Sequence, residues 1–355
     1  MSDIISPLVA CPAVQMRLND LYDNYPIEPT PLTVFLSSNQ NLQGIQLLPQ
    51  YNSPGGGKIR KVQVVYTPRY VESDVSTGLT TDCNTDNKPA QSYAEYEIDT
   101  DTGVELKEQF PLRDLIISCQ QNDSYIATRI MALLDGCRRK METQITNELV
   151  FNMGKFAKSD KVNVSVDRTY KEVKTVYSDG KFNENALSEI YYSARQANFN
   201  SIPFIFGTGT IEKYFQALKA PANTYWGLDL GEYTDGKYVF MPSYRISDAF
   251  DTDSYEHFVA LSTNSLVILQ YNKFDGMVGL NTISGTNVGL VQDVIIDPIT
   301  GMHFNYKWVY SPCGEYATAV ISTAFQLAAL PNDMFSSDDR LSGVRGSLKF
   351  RINNS

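Results

Sequence analysis

The feature that most constrains this chain is one long amphipathic stretch, "NDSYIATRIMALLDGCRRKMETQITNELVFNM", residues 122–153. Ile126, Ile130, Leu133, Leu134, Cys137, Met141, Ile145 and Leu149 follow one another at offsets of 4, 3, 1, 3, 4, 4 and 4. That spacing lines one face of an α-helix and predicts an apolar stripe over about seven turns. Asp123 or Ser124 can cap its start, because a short side-chain oxygen accepts from the free N–H groups of a first turn. Arg129, Arg138, Arg139 and Glu142 fall off the stripe. Gly136 sits in the middle, where glycine costs about 1 kcal/mol relative to Ala. It reads as a bend or as the junction of two abutting helices, and in a sharper reading as a hinge.

The segments before this helix have little to form a core of their own. Residues 1–52 lack periodicity and carry Pro7, Pro12, Pro26, Pro29, Pro31 and Pro49, the spacing of an extended arm that needs a partner surface. After Gly55-Gly56-Gly57, "KIRKVQVVYTPRYV" is strand-like, and a polar, turn-rich stretch leads into "SYAEYEIDT" and "GVELKEQFPL". Strands of this kind form at best a marginal isolated hairpin, so the excursion is expected to pack on another subunit.

Beyond the long helix, "KVNVSV" is strand-like, and "NENALSEIYYSARQANF" is a second amphipathic helix with Leu187, Ile190, Tyr191, Ala194 and Ala197 on its buried face. Asp235-Gly236 marks a hairpin or tight turn. "KYVFMPSYRI" and "HFVALSTNSLVILQY" read as strands. The last third alternates strands with turns at 298–301 and 312–314, and the polar tail 332–355 has a final strand only at "SLKFRI". No repeat is visible.

In "NSIPFIFGTGTIEKYFQALKAP", residues 200–221, strand, glycine turn and helix follow one another as in phosphate-binding loops. A dinucleotide fingerprint needs a third glycine at position 212, which is Glu212, and Gly207 begins no P-loop continuation. Ile211, Tyr214, Phe215 and Leu218 make the following segment a packing helix, so the corner is structural. His257 and His303 are the chain's two histidines, each in a strand-like run without a local partner at ligand spacing. Asp251, Asp253 and Glu256 lack the glycine and spacing of a calcium loop, and Asp338-Asp339 reads as a solvated acidic pair. Cys11, Cys83, Cys119, Cys137 and Cys313 are odd in number and scattered, as free thiols in a reducing compartment are. No catalytic, cofactor-binding or metal-ligating residue is assigned, and the chain reads as no enzyme.

Charge and composition narrow the class further. A net charge of −10 argues against a dedicated nucleic-acid binder. The 22 tyrosines suit wide semi-polar interfaces, because Tyr joins an apolar body to a polar tip. The N-terminus has an acidic residue and two prolines where a signal peptide wants positive charge and an apolar run. No stretch approaches 18 apolar residues, so no membrane span is expected.

In order, then, come an extended arm, a strand excursion, one long helix, an α/β unit and a closing run of strands. That layout resembles the HK97-fold major capsid proteins of tailed bacteriophages. The resemblance implies an α+β capsid fold with an N-terminal arm (1–52), an extended loop (53–118) and a peripheral domain with its spine helix (119–180). An axial domain (181–284), a return to peripheral strands (285–331) and a C-terminal tail (332–355) would follow. It also implies self-assembly through pentamers and hexamers into an icosahedral shell enclosing the phage genome. A separate scaffolding protein, a portal and decoration proteins would be partners, and packaged double-stranded DNA would be touched weakly and without specificity. The chain would be assembled in the host cytoplasm and reside in the virion. An encapsulin-like nanocompartment shell protein, or another structural virion component, is the alternative.

Overall fold

The computed structural model describes residues 29–38, 45–50, 59–68, 91–99, 103–111, 113, 124–151, 171–174, 185–196, 199, 202–207, 209, 211, 233–234, 239–249, 257–263, 265–271, 290–310, 315–331 and 346–353. The chain divides into two compact units. The first comprises Met1–Ser37, Ile98–Thr143 and Gln270–Gln326, and the second Ser38–Glu97, Gln144–Leu269 and Leu327–Ser355.

In the first unit, helix α1 (Pro31–Ser38) lies within the proline-rich stretch read as an extended arm. The prolines misled because Pro is tolerated in the first turn of a helix, where its missing N–H has no partner to lose. Thr30 precedes it, and its carbonyl accepts from the Val34 N–H (3.1 Å). Seven of the eight residues of α1 are buried, as expected of a helix that is apolar nearly all round.

Helix α2 (Ser124–Phe151) fulfils the long amphipathic stretch. Ile130, Leu133, Leu134, Cys137, Met141, Ile145 and Leu149 are all buried. The helix runs unbroken through Gly136, so the two-helix reading of that glycine is overturned. A Cβ there would meet only the Leu106 Cδ2, at 2.9 Å. Leu106 belongs to strand β4 (Val104–Pro111), whose Glu108 pairs with Arg129 of α2.

β4 joins a sheet with β10 (Leu266–Tyr271), β11 (Leu290–Ile296), β12 (His303–Tyr310) and β13 (Tyr316–Ala329), in the order β10-β13-β12-β11 with β4 also on β13. β11 and β12 form the hairpin expected around 298–301, with Ile296 opposite His303. Trp308 is fully buried between Phe110 (5.3 Å between ring centroids) and Tyr306 (5.8 Å, edge to face).

The second unit holds two sheets. Strands β1 (Ile45–Gln50), β2 (Ile59–Tyr66) and β3 (Ser92–Asp99) run in that order, with β1 antiparallel to β2. Val62, Val64, Tyr66, Ala94 and Tyr96 are buried, and the Tyr96 hydroxyl donates to the Ala329 carbonyl (2.8 Å). These flanks of the excursion therefore have an interior within their own chain, contrary to the expectation of little apolar matter. Period-two alternation of large residues supplies it.

The other sheet is mixed, in the order β5-β14-β9-β6-β8-β7. Its strands are β5 (Lys171–Lys174), β6 (Phe204–Gly207), β7 (Tyr233–Thr234), β8 (Val239–Pro242), β9 (His257–Leu261) and β14 (Ser347–Asn353). The C-terminal strand β14 thus lies inside the sheet, and Phe350 stacks on its cross-strand partner Phe258 at 4.8 Å. Helix α3 (Asn185–Gln196) lays Ala186 and Ile190 on Ile205, Phe240, Phe258 and Phe350. Tyr191 is only half-buried, a correction to the face expected of it. "KYVFMPSYRI" is also corrected: the strand ends at Pro242, and helix α4 (Tyr244–Ala249) begins after Ser243.

Candidate functional site

The glycine corner that first looked like a phosphate loop is packed shut. Gly207 closes β6, and a Cβ there would stand 2.8 Å from the Phe258 Cβ and 3.1 Å from Ile211 Cγ2. Gly209 has a φ of 70°, a left-handed turn that glycine adopts without steric penalty. Glu212 and the rest of the packing helix expected after the corner, apart from Ile211, lie outside the described residues.

His257 is buried in β9 and His303 is exposed in β12, each an ordinary member of its sheet. The acidic groups at 251–256 and 338–339, and every cysteine except Cys137, also lie outside the described residues. Among the described residues no group of three or more His, Cys, Asp or Glu is placed to hold a metal ion. Burial pushes the Cys137 thiol up to about 12, so the reactive thiolate is scarce at neutral pH.

Among the described residues, a cluster of buried charges sits instead on α2. Asp135, Arg138 and Glu142 lie at i, i+3 and i+7, one face of the helix. All three are buried, Arg138 and Glu142 to 1% exposure or less. Arg138 and Glu142 fell off the apolar stripe in the sequence, yet they are interior. Sequence reasoning missed them because it equated polar with solvated.

Glu142 caps α1 from across the fold. The Leu32 N–H donates to Glu142 Oε1 (3.1 Å), and the Thr33 N–H to Oε2 (2.7 Å). The Thr33 hydroxyl also donates to Oε2 (2.7 Å). These are amides of the first turn, which no carbonyl within α1 can satisfy. The carboxylate also faces the positive end of the helix dipole.

One turn earlier, Arg138 Nη1 donates to Asp297 Oδ1, and Nη2 to Asp135 Oδ1 (3.3 Å). Arg139 Nε reaches the other oxygen of Asp135 (3.1 Å), so two cations and two anions balance. Asp297 Oδ2 accepts from the Thr300 N–H (3.1 Å) and the Thr300 hydroxyl (2.6 Å). The loop is closed by Gly301 N–H to Asp297 carbonyl (2.9 Å) and Asp297 N–H to Met302 carbonyl (2.9 Å). Both oxygens of Asp297 are thereby engaged in holding structure. Buried charges arranged this way act as ties between segments.

A different set of side chains is offered to the outside. Tyr93, Tyr192, Tyr244 and Tyr316 are exposed, as are Leu106 and Ile296. Amphipathic tyrosines of this kind are enriched at interfaces.

No protein-family model matches the chain, and no curated protein matches it in sequence. Solved structures do. A chain of the capsid of Ralstonia phage GP4 aligns at 10% identity and a TM-score of 0.40, covering 84% of each chain. The capsid structure of Cyanophage P-SCSP1u aligns at 9% identity and 0.39, over 86% of each. A chain of Mycobacterium phage Bobi aligns at 12% and 0.39, over 94% of this chain and 93% of its own. The chain is thus similar, along most of its length, to chains from phage structures, two of them described as capsids.

Proposed function

We propose that this chain is a major capsid protein of the HK97-fold class, assembling through pentamers and hexamers into an icosahedral shell around a phage genome. One observation carries the reading: the first compact unit is interrupted. It takes in Ile98–Thr143, with most of the long helix, and resumes at Gln270–Gln326, while Gln144–Leu269 belongs to the second unit. An axial domain inserted between the spine helix and the returning peripheral strands has this organisation. The boundaries expected from the sequence, 119–180, 181–284 and 285–331, stand as the proposed peripheral, axial and returning segments. Residues 1–52, 53–118 and 332–355 stand as the arm, the extended loop and the tail.

On this reading the role is structural and not enzymatic. The main partners are further copies of the chain, whose exposed tyrosines suit subunit contacts. A separate scaffolding protein, a portal and decoration proteins complete the particle. The net charge of −10 fits a wall that packaged DNA touches weakly, because like charge keeps the DNA free to move. Assembly takes place in the host cytoplasm, and the product is the virion shell. Expression with and without a scaffolding protein, followed by light scattering and negative-stain electron microscopy, tests the proposal. Closed shells, or rings of five and six, are expected. A 39.8 kDa monomer under both conditions would refute it.

A further inference from the structure

Two segments remote in sequence are gripped by adjacent turns of one helix. Glu142 holds the first turn of α1 by three hydrogen bonds. Arg138, one turn earlier, holds the β11–β12 loop through Asp297. The captured segments carry little charge of their own. The sequence of α1, "PLTVFLSS", has no titratable side chain, and Asp297 is the single one in "DPITG". Arg138, Asp297 and Glu142 are each at most 1% exposed, so neither grip is weakened by solvent or salt as a surface pair would be.

We infer that α2 is a latch with two catches, coupling the N-terminal helix to the β11–β12 loop. The side chains of residues 138 and 142 leave the same face of a stiff helix, and a close-packed interior transmits a small displacement instead of absorbing it. Loosening Asp297 shifts the Arg138 side of α2 and with it the carboxylate that caps α1. The loop's own closure, from Thr300 to Asp297 Oδ2, makes Asp297 a rigid hook. The latch goes beyond the shell reading and does not depend on it, since every group lies in one chain and one unit.

Hydrogen exchange on the full-length, unassembled chain tests the coupling. Glu142→Gln is expected to speed exchange at the Leu32 and Thr33 amides on the order of tenfold, because a charged acceptor is lost. Asp297→Asn is expected to speed the Thr300 amide and, through the latch, the Leu32 and Thr33 amides by about threefold. The amides of Ala319 and Ile321 in β13, a strand flanked by β12 and β4 in the same unit, report general unfolding of that unit, so the rise in α1 must exceed any change there. Thr33→Val removes one hydroxyl donor and spares the carboxylate. It gives a milder version of the Glu142 result should Glu142→Gln fail to fold. Asp297→Asn chains whose α1 amides accelerate no more than those of Ala319 and Ile321 would overturn the coupling. Glu142→Gln and Thr33→Val chains with unchanged α1 amides would overturn the catch itself. Failure of shell formation would touch neither result.

Discussion

Helices α2 and α3 are both amphipathic by spacing, yet they dispose of their charges in opposite ways. In α3 the apolar side meets the mixed sheet, while Ser188, Glu189, Tyr192 and Arg195 are exposed. Arg195 lies 5.9 Å over the ring of Tyr191, a contact at the surface. In α2 the apolar stripe is buried, and so is the neighbouring stripe of Asp135, Arg138 and Glu142. A helix covered on one side sends its charges to water. A helix covered on two sides must give each charge a partner: α1 supplies those of Glu142, the β11–β12 loop supplies Asp297 to Arg138, and Asp135 pairs with Arg138 and Arg139 of its own helix.

The contrast can be broken or sharpened by substitution, with urea unfolding of the unassembled chain as the common measurement. Arg138→Ala leaves Asp297 buried without its cation and is expected to cost about 3–5 kcal/mol. Glu142→Ala strands the Leu32 and Thr33 amides inside the fold, for an expected loss of about 2–3 kcal/mol. Gly136→Ala is expected to change stability by less than about 1 kcal/mol, since better helix propensity offsets the contact with Leu106. The contact is soft because it falls on the end of a flexible, partly exposed side chain. A loss well above that range would support the reading of Gly136 as a position where the helix needs a glycine. Glu189→Ala on α3 is expected to fall within about 0.5 kcal/mol. If it matched Glu142→Ala, the distinction between the two helices would fail.

What the sequence revealed follows the same division. The α2 stripe was legible because periodicity reports which residues avoid water. The 298–301 turn and β9–β13 were legible from turn residues and alternation. Helix α1 was missed because Pro29 and Pro31 looked like chain-breaking punctuation, and because its cap lies 109 positions away, at Glu142. The interior role of Arg138 was missed because its partner Asp297 is 159 positions distant. One signal was present: Asp135, Arg138 and Glu142 alternate in sign at helical spacing, beside a stripe already assigned to the core. The place of β14 within the mixed sheet was not legible either, since "SLKFRI" carries no mark of which strands will flank it.

The most direct measurement of the central structural claim, that the charges of α2 tie the fold from within, is a double-mutant cycle. Arg138→Ala, Asp297→Ala and the double variant would be unfolded in urea alongside the parent chain. A buried tie predicts strong non-additivity, with a coupling of about 2 kcal/mol or more, since the second substitution removes an already stranded charge. Additive losses, with coupling below about 0.5 kcal/mol, would contradict it and place the two side chains in independent environments.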